Sequence, residues 1–309
     1  PYSSLGYDFS HDITDPALVA SAGNINYRSN GEGSLYQLFL GGGATFWNKL
    51  SVGAQFLYYF GNMDKSTSMD FTSASYRDIY SGYNLNLHAV GGKFGVQYDQ
   101  ALAPGLYMTV GATYKTSSRL KGRVSDYKYA TISSQSDTLH YNVDTLSHGS
   151  NVKLASEYGV GIALRKGDKW RIEFDYTRSD WRNSNFDKTT GFANVGASTF
   201  STTYSQSFKA GFEIVPNRND IRYYMRRCSY RAGMYYDRDY YKLDGHTVNS
   251  YGVTLGITLP VFRWYNGISI GVDLGQRGTN TGNMIRERYA MFVVGFNIHD
   301  IWFQKPKYD

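Results

Sequence analysis

The residues able to do chemistry in this chain are charges at alternate positions. Glu157, Arg165, Arg171, Glu173, Asp175, Lys209, Glu213, Arg231, Asp237, Asp273 and Arg277 all fall at the polar positions of runs that alternate with apolar residues, so each run puts its charges on one side. Two readings follow. The charges can pair with one another and rigidify an enclosed interior. Alternatively Arg171, Lys209 or Arg231 holds an acidic ligand head group, because a guanidinium or ammonium away from water binds a carboxylate strongly. Catalytic arrangements are scarcer. Ser269 lies in a G-x-S-x-G match, "GISIG" at 267–271, but a nucleophile elbow needs a strand-to-helix turn there, and the stretch reads as uninterrupted strand. Gly91-Gly92-Lys93 is followed by Phe94 where a phosphate loop needs Ser or Thr. The histidines (His11, His88, His140, His148, His246 and His299) show no metal-ligand spacing. The sequence therefore implies no catalytic residues, no metal and no cofactor.

These charges must be positioned by strands. In 251–259 Tyr251, Val253, Leu255, Ile257 and Leu259 alternate with Gly and Thr, and in 267–275 Ile268, Ile270, Val272 and Leu274 alternate with Gly, Ser and Asp. Such a period of two assigns every strand one apolar and one polar face. The polar faces are rich in Gly and Ser, which suits a crowded concave interior. The apolar faces carry aromatics near strand ends (Phe46, Trp47, Tyr58, Phe60, Trp170, Tyr176, Trp302, Phe303), as at two membrane interfaces. The 309 residues include 29 Tyr, 33 Gly and one cysteine, Cys228, so no intrachain disulfide is available. No apolar run is long enough for a membrane helix. A net charge of +6 without a clustered basic face gives no reason to expect nucleic acid. The turn at 217–227 does carry Arg218, Arg222, Arg226 and Arg227, either as a solvated turn or as a contact for a periplasmic or membrane partner.

The expected fold is all-β: a transmembrane antiparallel barrel, one domain over 1–309. Twelve strands are predicted, at 2–13, 33–47, 50–62, 76–99, 106–122, 151–166, 169–183, 202–216, 228–241, 249–262, 267–280 and 286–303. Long and short connections mostly alternate, which sets the first strand rising outward and the C-terminus in the periplasm. A phase slip at Val90-Gly91-Gly92 predicts a bulge.

Several stretches resemble a known family. "PYSSLGY" (1–7), "YGVGIAL" (158–164), "SYRAGMYY" (229–236), "YGVTLGITLP" (251–260), "GVDLGQRGT" (271–279) and "VVGFNIHDIWF" (293–303) are similar to FadL-type outer-membrane transport proteins, more narrowly to shorter, Tyr-rich homologues. The resemblance implies fourteen strands in the complete protein and an N-terminal hatch. It makes 1–7 the counterpart of a third strand, so the chain reads as N-terminally incomplete. A complete twelve-stranded barrel is the alternative. It implies a Gram-negative outer-membrane location and passage of hydrophobic small molecules such as fatty acids, with membrane lipid and the transported molecule as partners. It also implies a lateral opening at Pro1, Tyr2, Ser3 and Ser4, where proline cannot donate to a ladder. An accessory barrel in an outer-membrane assembly or secretion complex, bound to other outer-membrane proteins and with its transport path closed, is the competing function.

Overall fold

The computed structural model describes residues 1–73, 75–132, 152–189, 199–261, 266–281 and 284–297, together with the backbone of 135–146. The strands are β1 Ser3–Ile13, β2 Ile25–Phe46, β3 Leu50–Phe71, β4 Asp78–Ala103, β5 Leu106–Lys115, β6 Lys121–Ile132, β7 Gln135–Leu146, β8 Glu157–Lys166, β9 Trp170–Asp180, β10 Tyr204–Ile214, β11 Ser229–Leu243, β12 His246–Pro260, β13 Gly267–Arg277 and β14 Glu287–Asn297. All pairings are antiparallel, in the order β1-β2-β3-β4-β5-β8-β9-β10-β11-β12-β13-β14. Each of the twelve predicted strands has its counterpart in this wall.

Three elements were not foreseen. The helix α1, Pro16–Ala22, opens on Asp15, whose carboxylate accepts from the Ala17 amide at 2.9 Å. The hairpin β6–β7 occupies much of a region expected to be a loop, and β6 continues the sheet from the first half of β4. β2 and β3 also run much further than predicted, to Ile25 and Phe71. The expected bulge at 90–92 is absent: Tyr58↔Val90, Leu57↔Gly91 and Phe56↔Gly92 pair in unbroken register. β4 instead changes neighbour here, pairing with β6 through His88 and with β5 from Lys93.

A change of environment explains the misleading phase. Below this level the outward face is apolar, with Leu38, Leu40, Phe56, Tyr58, Val90, Phe94 and Val96. Above it the same face carries Asn26, Arg28, Asn30, Ser66, Ser68, Asp70, Asn84 and Asn86. The apolar residues there have moved to the inward face: Leu35, Met63, Leu85, Leu87 and Ala89. Period-two patterning reports which face is kept from water, and along these strands that face switches near Val90.

The turn at Trp47-Asn48 joins β2 to β3 with φ of 52° and 53°. Two successive positive φ values give the turn twist that matches paired strands. Tyr and Gly explain each other's abundance on several strands. A Cβ at Gly82 would collide with the Tyr127 ring, and one at Gly252 with Tyr235. Glycine lets each ring lie flat across the neighbouring strand.

The wall is open among the described residues. β1 pairs with β2 only from Leu35 upward, so 36–46 has β3 as its sole neighbour, and β14 pairs only with β13. In the alternating order both β2 and β14 run in the same direction, so antiparallel closure of this seam takes an odd number of strands.

Candidate functional site in the lumen

The inward faces of β9 to β14 surround a cavity of about 580 Å³. Arg171, Lys209 and Arg231, separated widely in sequence, all line it. Register brings them together: Arg171 lies opposite Glu213, Glu213 opposite Arg231, and Asp175 opposite Lys209. Two of these cations are already engaged. Arg231 Nε donates to Glu213 Oε2 at 2.7 Å, and Arg171 pairs with Glu173 along its own strand. Lys209 has no ion pair among the described residues. The same cavity is lined by the carboxylates of Glu173, Asp175, Glu213, Asp237 and Asp273, so five acids face three bases. The surplus is negative, which weakens the expected affinity for an acidic head group and favours mutual ion pairing.

Tyr235 and Tyr289 complete this cluster. The Tyr235 hydroxyl donates to Asp273 Oδ1 at 3.0 Å and lies 2.6 Å from the Tyr289 hydroxyl. Sequence reasoning missed both. Their signal was indirect: each lies beside glycines of neighbouring strands, and a Cβ at Gly275 would meet both hydroxyls. Ser269 sits within β13 and shares a 2.9 Å hydrogen bond with Thr258, with no helix following. Among the described residues no group of His, Cys, Asp and Glu could hold a metal, and no helix is long and apolar enough to cross a membrane.

A second feature lies above the charged cavity. Leu35, Leu57, Tyr59, Leu85, Leu87, Leu120, Val152 and Leu154 form a buried cluster, each at most 4% exposed. Leu120 and Val152 come from segments that fold inward, linked by the short pairing Ser118↔Leu154 and Arg119↔Lys153. Tyr2, Met63, Trp181 and Phe186 pack against it. Trp181 reaches the far wall, its ring 4.5 Å from that of Tyr240 on β11. The cluster therefore forms a cork joining β2–β4 to β9 and β11.

Pro1–Ser4 border this cork. The Tyr2 amide donates to Leu35 O at 2.7 Å, and Ser3 enters regular pairing opposite Leu35. The Tyr2 ring meets Tyr59 edge-on at 4.9 Å and lies under Lys115 Nζ, which pairs with Glu157 at 3.2 Å. A smaller, mainly apolar cavity of about 350 Å³ touches Tyr2, Ser3, Leu35, Leu87, Trp181 and Tyr240. Ser4 alternates to the outward face, opposite Ser34. At the other end the basic turn holds Arg226 to Asp220 at 3.3 Å and Arg218 to Asp168 at 3.5 Å. His299, Trp302 and Phe303 lie outside the described residues, as does His148.

A family model described as BamG matches residues 1–309. No curated protein matches. Among solved structures, the CymD monoaromatic hydrocarbon channel superposes with a TM-score of 0.51 at 14% identity, covering 87% of this chain and 77% of that one. The Ralstonia pickettii toluene transporter TbuX gives 0.50 at 15% identity, covering 96% of this chain and 89% of that one. These likenesses establish the fold of an outer-membrane β-barrel. The FadL-type resemblance thus holds for architecture, while the family model does not itself confirm that family.

Proposed function

Since the chain belongs to the BamG family, we propose that it is a structural barrel subunit of an outer-membrane assembly complex, with its lumen closed. The cork is the observation that carries this reading. A conduit needs a path, and in this reading the path is blocked by leucines and a tyrosine, exposed by at most 4%, packed against the inward face of β2–β4. Burying a leucine side chain contributes about 1.5–3 kcal/mol, so several together make a permanent closure. The tall sheet of β2, β3, β4 and β6, polar on its outer face, supplies a platform beyond the lipid for neighbouring proteins. In this reading the barrel sits in the outer membrane of a Gram-negative bacterium with the tall sheet outside and the C-terminus in the periplasm. An odd number of strands covers the seam, since open edges are intolerable in hydrocarbon. Site-specific crosslinking from the tall sheet in intact cells, together with depletion, tests the proposal. Crosslinks to other outer-membrane proteins and a fall in folded barrel proteins on depletion are expected. Absence of both would reject it.

A second reading, transport of hydrophobic small molecules, draws on the apolar cavity beside Tyr2 and Ser3. Ser3 lines that cavity and Ser4 does not, so Ser3→Trp should block uptake of a hydrophobic probe while Ser4→Trp should not. Uptake by proteoliposomes carrying the wild-type chain would favour this reading over a closed subunit.

A further inference from the structure

On the outer face of the tall sheet, above the apolar belt, lies a slot of about 330 Å³. Its floor is Ser66 and Ser68 on β3. One side is Arg28 and Asn30 on β2, and the other is Tyr80 on β4 with Tyr127 and Tyr129 on β6. Register aligns these groups in two rows across the sheet, Arg28–Ser68–Tyr80–Tyr129 and Asn30–Ser66–Gly82–Tyr127. Tyr80 and Tyr129 stack at 5.0 Å and 14°, and Tyr127 follows at 6.0 Å and 25°. β2 and β4 are two strand spacings apart, about 9.5 Å, and only small side chains stand between Arg28 and Tyr80. That leaves room for one flat ring.

We propose that this slot binds a neutral pyranose of the lipopolysaccharide in the surrounding outer leaflet. An aromatic face, hydroxyl groups and planar amide and guanidinium groups are the chemistry that grips a sugar ring, which has an apolar face and a hydroxyl-bearing rim. Phosphate fits less well. Arg28 already gives both its Nε and Nη2 to Asp8, at 3.0 and 2.6 Å, and Tyr80 donates to Asp70 at 3.1 Å. Position selects the source. The lipid-facing belt continues directly into this face, and Ser66 is six residues above Phe60 on β3, roughly 20 Å of strand. The inference rests on the outward placement of the tall sheet given above.

Nanodiscs holding the full chain would be prepared with rough lipopolysaccharide bearing its core sugars, with lipid A alone, or with phospholipid only, and bound glycolipid counted by native mass spectrometry. Wild type should retain core-bearing lipopolysaccharide, and Tyr80→Ala or Ser68→Trp should lower retention roughly fivefold. Heat-modified gel mobility would confirm that each variant is a folded barrel. Equal retention by the folded variants, or equal retention of lipid A alone, would overturn the proposal. Asn62→Cys in a Cys228→Ser background should be labelled by an impermeant maleimide in intact cells. Lack of labelling would place this face in the periplasm and reject a sugar ligand, while the subunit reading would still be judged by its own crosslinks.

Discussion

The two sides of this barrel use the same alternation to opposite ends. Across β9–β13 the apolar face looks outward, with Phe174, Met234, Val253, Leu255 and Ile270 well exposed, and the inward face holds charges of both signs. Across the upper β2–β4 the outward face is polar and the inward face is leucine. The first surface is solvated by lipid, so its side chains lose little packing when trimmed. The second is solvated by other side chains, close-packed and intolerant of gaps.

Trimming the cork should therefore have the largest effect. Leu57→Ala and Leu87→Ala should each destabilise by about 2–5 kcal/mol, the usual cost of a buried leucine cavity, and should allow ion leakage in a planar bilayer. Leu255→Ala, 60% exposed, should shift the unfolding midpoint far less. Equal shifts would mean that the cork is not a packed core. Arginine sharpens the same contrast on the lipid side. Leu255→Arg should cost about 2–4 kcal/mol near mid-membrane, whereas Thr254→Arg turns toward the charged cavity and should be tolerated. A smaller change is expected inside that cavity. Tyr235→Phe removes the bonds to Asp273 and Tyr289 and should destabilise by roughly 0.5–1.5 kcal/mol, read from denaturant midpoints in detergent. No shift would show that the lumenal network contributes shape alone.

The wall was legible because each strand is solvated differently on its two faces, and that difference is written residue by residue. Arg171, Lys209 and Arg231 were recognisable as inward groups, and register does gather them. Their partners were less legible, since Glu213 meets Arg231 only through the alignment of β10 and β11. The cork was hidden for another reason. Leu85, Leu87 and Ala89 read as an ordinary apolar face, and the swap near Val90 imitated a bulge. Nothing local to Leu120 or Val152 announces that they fold into a lumen, because their partners lie on other strands. The β6–β7 hairpin was equally obscure, its Tyr, Lys, Asp and Ser alternation matching a polar loop.

The smallest expected effect belongs to the tall sheet, where ion pairing should matter in a way it does not for the cork. Arg28 holds the Asp8 carboxyl below its usual range, first through its side-chain hydrogen bond, with attraction between the charges adding to this against desolvation. An acid whose folded pKa is depressed contributes stability above its unfolded value, about 3.9, and loses it as pH falls through the folded one. Both partners are more than half exposed, so the contribution is modest and salt-screened. Amide exchange in β1, measured by mass spectrometry from pH 6 to pH 3, should rise in the wild type more steeply than in Asp8→Asn after correction for intrinsic rates. The carboxylates of Asp12, Glu32 and Asp70 share this face in both proteins and cancel in the comparison. Exchange in the β12–β13 wall should respond equally in both proteins. Identical pH profiles for β1 in wild type and variant would show that the pair does not hold this strand, and that its long register with β2 suffices.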